Sequence, residues 1–149
     1  MNINQLIEKI KSIVLEKLEF KAFYIGNTWD NAAGKGDKYP CAWMEFPVMI
    51  DYKSQGKHSK QLSFSMDFLT LPKLDDTQDE IDKISDIEEY VDQFLQYLKK
   101  DIDFSLVDLP VGISIKSFNA DNACGIRLDL KVNTGRFCLD PICYTNTTC

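Results

Sequence analysis

The chain is poor in the residues that usually announce chemistry. Among its 149 residues there is one histidine, His58, set between Lys57 and Ser59-Lys60, with no order of nucleophile, base and orienting carboxylate around it. That excludes a recognisable triad and leaves His58 as an exposed hairpin residue. Gly34-Lys35-Gly36-Asp37 has glycines and a lysine but lacks the G-x-x-x-x-G-K-[ST] spacing of a phosphate loop, so it reads as a flexible connection. No apolar run approaches bilayer-spanning length. Met1 leads directly into the polar, amphipathic stretch Asn2 to Leu18, with neither a basic n-region nor a continuous apolar core, and the expectation is a soluble cytoplasmic product with no membrane contact. Internal repeats and low-complexity tracts are also lacking.

Five cysteines, Cys41, Cys124, Cys138, Cys143 and Cys149, are an odd number for a closed disulfide framework, and free thiols are expected. Cys138, Cys143 and Cys149 follow C-x4-C-x5-C spacing. Structural zinc sites use paired knuckles and four ligands, so these three read as reduced thiols in a docked tail, with no metal and no cofactor assigned. Acidic residues outnumber basic ones, 23 to 17, and the formal charge of −6 repels nucleic acid unless a local basic patch overrides it.

What the chain does have is an ordered succession of periodicities. Ile3, Leu6, Ile7, Ile10, Ile13, Val14 and Leu18 recur at helical spacing and predict a first helix from Asn4 to about Leu18. Phe20 to Ile25 reads as a strand ended by Gly26-Asn27, followed by a long polar connection, Asn27 to Lys38. Tyr39 to Ile50 reads as a second strand with Ala42, Met44, Phe46 and Val48 on one face. Pro40 and Pro47 limit it to strand entry, an edge or a bulge, because proline has no N–H for the ladder. A polar turn from Asp51 to Lys60 leads to a third strand, Gln61 to Leu71, in which Leu62, Phe64, Met66 and Phe68 alternate with Ser63, Ser65 and Asp67.

Asp75, Asp76, Thr77 and Asp79 announce a second helix whose stripe is Ile81, Ile84, Ile87, Val91, Phe94, Leu95 and Leu98, closed by Lys99-Lys100. These acids, with Glu80 and Asp82, lack the calcium-loop spacing and read as helix capping. Two alternating segments follow, Val111 to Ile115 and Ile126 to Val132, joined by a turn at Asn119-Ala120-Asp121-Asn122. The expectation is one α+β domain over residues 1–133 of order α-β-β-β-α-β-β. It has about five mainly antiparallel strands, two helices on one face, a long hairpin, and an extended arm over residues 134–149. Trp29, Trp43, Tyr90 and Tyr97 lack the basic groove of a nucleic-acid stacking platform and read as core-flanking or subunit-contact residues.

The element order, the hairpin Tyr39 to Leu71, the helix after Leu71-Pro72 and the closing Ile126-Arg127-Leu128-Asp129-Leu130 resemble the tail-completion, or tail-terminator, proteins of long-tailed bacteriophages over about residues 3–133. The resemblance rests on architecture, since that family has no catalytic signature. It implies a non-enzymatic virion protein, assembled in the host cytoplasm, that forms a ring, commonly hexameric, at the head-proximal end of the tail. Its implied partners are copies of itself, the major tail-tube protein and neck or connector proteins, with DNA passing through the lumen unbound. A heterologous ring interface would draw on the polar excursions from the core. The candidates are the hairpin tip with Lys53, Lys57, His58 and Lys60, the loop with Trp29, and the arm with Arg136 and Phe137; Asp75, Asp76, Asp79 and Asp82 are candidates for an acidic lumen. The alternative is a small cytoplasmic adaptor or ligand-binding α+β module without catalytic activity.

Overall fold

The structure, a computed structural model, describes residues 1–27, 30, 38–53, 59–103 and 105–136. Asn2 starts helix α1 (Ile3–Ser12). Its side chain accepts a hydrogen bond from the Gln5 amide while the Gln5 side chain accepts one from the Asn2 amide, satisfying donors that helix geometry leaves orphaned. The helix then widens into a π-helical turn, Ile13–Lys17, instead of continuing as α-helix to Leu18. The spacing of the buried residues supplies the reason. Leu6, Ile10, Val14 and Leu18 are all buried and sit four apart, a repeat that drifts about 40° per step around an α-helix. A wider turn brings the last of them back over the core.

Among the described residues, seven strands form one mixed sheet. At its centre lie two long antiparallel strands, β4 (Ser59–Thr70) and β7 (Cys124–Arg136). The outer side of β4 pairs with two short strands in succession, β3 (Met49–Lys53) and then β2 (Cys41–Glu45). The outer side of β7 likewise pairs with β5 (Ser105–Leu106) and β6 (Val111–Ile115). Strand β1 (Ala22–Gly26) lies beyond β2 and runs parallel to it. Counted across the sheet there are five strand positions, two of them shared by split strands.

The splits explain where the sequence reading needs correction. The segment Tyr39 to Ile50 is two strands, because Phe46-Pro47-Val48 leaves the ladder where Pro47 has no N–H to give. Both the Tyr39–Pro40 and Phe46–Pro47 peptide bonds are cis. Asp51 to Lys53 and Ser59 to Lys60, expected in a turn, extend the hairpin strands. Ser105–Leu106 adds a two-residue strand without a periodic signal. Thr134 to Arg136, expected in the arm, continue β7 as far as the Ser59↔Arg136 pair. Among the described residues the order is therefore α-β-β-β-β-α-β-β-β. Residues 137–149 and the Gly34-Lys35-Gly36-Asp37 loop lie outside the described residues.

Helix α2 (Thr77–Lys100) starts where the sequence places it. Asp76 is its N-cap, accepting from the Asp79 amide, and Lys99-Lys100 close its last turn. Its buried face is Ile87, Val91, Phe94 and Leu98, while Ile81 at the start of the stripe is 51% exposed. Both helices cover the same face of the sheet. They pack on the side chains that alternation sends to that side, Ala42 and Met44 from β2, Leu62 to Phe68 from β4, and Ile126 to Val132 from β7. Phe68 meets both Phe20 and Phe94 edge to face, and Phe20 also meets Tyr90. Lys9 in the last turn of α1 reaches Asp101 and Asp103 just past α2, at 2.7 Å each, tying the ends of the two helices together.

Two substitutions test this packing. Phe94→Ala empties a fully buried site between the helices and the sheet and is expected to cost about 3–5 kcal/mol in urea unfolding. Gly125→Ala is expected to be as harmful, at about 3 kcal/mol or more, because the added Cβ would collide with the Phe68 carbonyl where β4 and β7 run side by side.

Candidate functional site

The face of the sheet turned away from the helices carries the odd-numbered residues of β4 and β7. Across the central pair, Asp67 lies opposite Arg127, Ser65 opposite Asp129, and Ser63 opposite Lys131. Asp67 is also opposite Trp43 on its other side, so large side chains flank it on both neighbouring strands and it is fully buried. A buried carboxylate needs a cation. Arg127 supplies it, standing 3.4 Å from Asp67 and also pairing with Glu45 at the end of β2. Burial alone would lower the Arg127 pKa, but the charge of Asp67 and the hydrogen bond to Glu45 reverse this and hold it above its ordinary value. Beside this cluster, Trp43 stacks on Tyr24 at 5.5 Å and donates its indole N–H to the Gly26 carbonyl. Ser65 donates its hydroxyl to Asp129.

Around this polar floor stand apolar side chains in water. Met49 at the start of β3 is 65% exposed; on the other side of the face Leu109, Val111 and Ile113 are 80%, 71% and 61% exposed. Between them lies a shallow hollow of about 490 Å³, with Met49 and Pro47 on one rim, Leu109, Pro110 and Val111 on the other, and Glu45, Asp108, Asp129 and Lys131 among its polar groups. Its opposing apolar rims and charged floor suit contact with another polypeptide.

A second, smaller cluster closes one end of the same face with Tyr39, Cys41, Leu69 and Ala123. The Tyr39 hydroxyl donates to Asp121 at 2.8 Å and accepts from the Asn119 side-chain amide at 2.8 Å. Burial first, then the Asp121 carboxylate, push its pKa up. Cys41 belongs to this face, whereas Cys124 lies on the helix side with its Sγ toward the Glu80 carbonyl, so the two buried thiols are separated by the sheet. Burial, then the charges of Glu80 and Asp79, raise the Cys124 thiol to about 11.

Of the residues singled out from sequence, Lys53, Lys60 and Arg136 come together at one end of the sheet, since Ser59 pairs with both Lys53 and Arg136 and Lys60 pairs with Tyr52. Trp29, Lys57, His58 and Phe137 lie outside the described residues. Asp75, Asp76, Asp79 and Asp82 cluster at the start of α2. There Asp76 caps the Asp79 amide, Asp79 accepts from the Lys73 amide at 2.6 Å, and Asp82 accepts from Gln78. Asp75 holds a left-handed turn at φ 55° ahead of the helix. Among the described residues no three histidine, cysteine, aspartate or glutamate side chains group to hold a metal ion, and no helix is long and apolar enough to cross a membrane.

Sequence reasoning missed the Glu45–Arg127–Asp67 cluster and the exposed rim. The alternation that placed Asp67 and Arg127 on polar faces was visible; that the two faces are one face, in one register, was not.

Arg127→Met is expected to destabilise the fold by about 3–5 kcal/mol, because it removes the cation that stands against the fully buried Asp67; urea unfolding at neutral pH reads the loss. Stability is also expected to fall in alkali. The Tyr39 and Cys124 pKa values are raised on folding, so their contribution is complete below the unfolded values near 10 and 9 and is lost as pH rises past them, toward about 11 for Cys124. In Tyr39→Phe/Cys124→Ala the decline of the melting temperature above pH 9 should be shallower than in the parent.

Compared with known proteins, the chain matches no protein-family model and no curated protein, so its functional reading rests on the sequence pattern and on this geometry.

Proposed function

We propose that the chain is a structural subunit that assembles with copies of itself into a ring at the head-proximal end of a long-tailed phage tail, ends growth of the tail tube there, and joins tail to neck. The observation that carries the reading is the one-sided sheet. Helices bury one face, and the other keeps Met49, Leu109, Val111 and Ile113 in solvent beside a polar floor. An exposed apolar surface of this kind marks protein contact more often than chemistry. A closed ring needs two different patches on each subunit, and a sheet with a bare face and two unlike edges provides them. The acidic residues Asp75, Asp76, Asp79 and Asp82 are assigned to the lumen, where negative charge keeps passing DNA from sticking. A non-catalytic adaptor or ligand-binding module is the second reading, supported by the hollow of about 490 Å³ on the bare face.

Light scattering across a concentration series, with and without reductant, followed by electron imaging, tests the ring. The protein is then added to growing tail tubes assembled from the major tail-tube protein of a long-tailed phage. The expected result is a reductant-insensitive ring, or tubes whose ends are capped and whose growth stops. A chain that stays monomeric and leaves tube growth unchanged rules the reading out.

A further inference from the structure

The outermost strand beside β7 is β6, Val111-Gly112-Ile113-Ser114-Ile115. Its first four residues are solvent-exposed and none of the five carries a charge or is a proline. Edge strands in soluble proteins are usually protected by lysine, proline, a bulge or a covering element, because their unpaired N–H and C=O groups recruit another strand. At the opposite edge lies β1, Ala22-Phe23-Tyr24-Ile25-Gly26, also five residues and uncharged, with Ile25 40% exposed and, among the described residues, no strand on its outer side.

The directions of these strands follow from the pairings. Strands β2 and β7 both run antiparallel to β4, β1 runs parallel to β2, and β6 runs antiparallel to β7. The two edges therefore run in opposite senses. We infer that β6 of one copy pairs with β1 of the next, continuing the sheet from subunit to subunit. The inference rests on the ring reading and supplies its interface. Placed side by side with their helices on the same side, such copies meet in an antiparallel pair, which is the more stable ladder and keeps every covered face on one side. The contact is heterologous, so it uses both edges of each copy and closes only as a ring or continues as a fibre. Five strand positions span roughly 24 Å of arc at about 4.8 Å each, so six copies would close a circle on the order of 45 Å across before side chains are counted.

Cysteine cross-linking of the full chain tests the pairing. Ile25 and Ser114 are exposed and both lie on the helix side of the sheet, from the registers Ile25↔Met44 and Ser114↔Ile126. The probe is a short bismaleimide, with the linked peptides identified by mass spectrometry. Ile25→Cys mixed with Ser114→Cys should give a covalent dimer joined through those two positions, and the double variant should give a ladder ending at the ring size. Linking of Ser114→Cys to itself would show a two-fold β6 contact and overturn the inference, as would a ring that forms with no β1–β6 link. The latter outcome leaves the ring reading standing, whereas a monomer in every variant and in the parent overturns the inference and removes the ring reading only where tube growth is also unchanged. In a second arm, Val111→Lys/Ile113→Lys should keep the parent's melting temperature, since both side chains are solvated, and lose assembly. Assembly undiminished in that variant also overturns the inference.

Discussion

Strands β4 and β7 run side by side in one register from the Gln61↔Asn133 pair to the Thr70↔Cys124 pair, and the rest of the molecule hangs on that register. Side chains alternate with a period of two, so one register sends Leu62, Phe64, Met66 and Phe68 and Ile126, Leu128, Leu130 and Val132 to one face together, and Ser63, Ser65, Asp67, Arg127, Asp129 and Lys131 to the other. A slip of one residue would bury the charges and expose the core. Gly125 permits the close approach of the two backbones at the far end, and the short outer strands take their alignment from the central pair.

The buried carboxylate of Asp67 makes that register more selective. Its cation, Arg127, sits directly opposite on β7, and Glu45 at the end of β2 shares the guanidinium. Three strands are thereby linked through one ionic group, whose partners meet only when all three are aligned. A buried ion pair is weak evidence for net stability, since desolvation offsets the attraction, but an unmatched charge in the same place is costly. In the proposed ring, the same bare face would turn Met49, Val111 and Ile113 toward partners while Arg127 keeps its floor rigid.

Much of the architecture was legible because it is written in local periods. The stripe of α2, its Asp76 cap and its lysine end follow from i, i+3, i+4 spacing and the helix dipole, which depend on neighbours in the chain. The same holds for the alternation of β4 and β7. Proline at position 47 correctly signalled trouble in the second strand, yet whether the chain would bulge or divide depended on β4 being long enough to hold both halves. The strand Ser105–Leu106 exists only because Asn133 and Val132 lie beside it, and no two-residue segment carries a period. The apolar alternation of Val111, Ile113 and Ile115 marked a strand. In the fold it is an edge strand whose Val111 and Ile113 are exposed, with no layer above it among the described residues.

By itself the sequence determined the element types, the separation of an apolar from a polar face in each, and the absence of a recognisable catalytic motif. These are local properties, settled by side chains a few residues apart along one segment. Tertiary structure alone decided which polar faces coincide, that Asp67 would be fully buried beside Arg127, and that β1 and β6 would become the edges among the described strands. Those outcomes depend on pairing between segments as far apart as Asp67 and Arg127. The register that joins such segments is chosen by the collective burial of the whole core rather than by either segment.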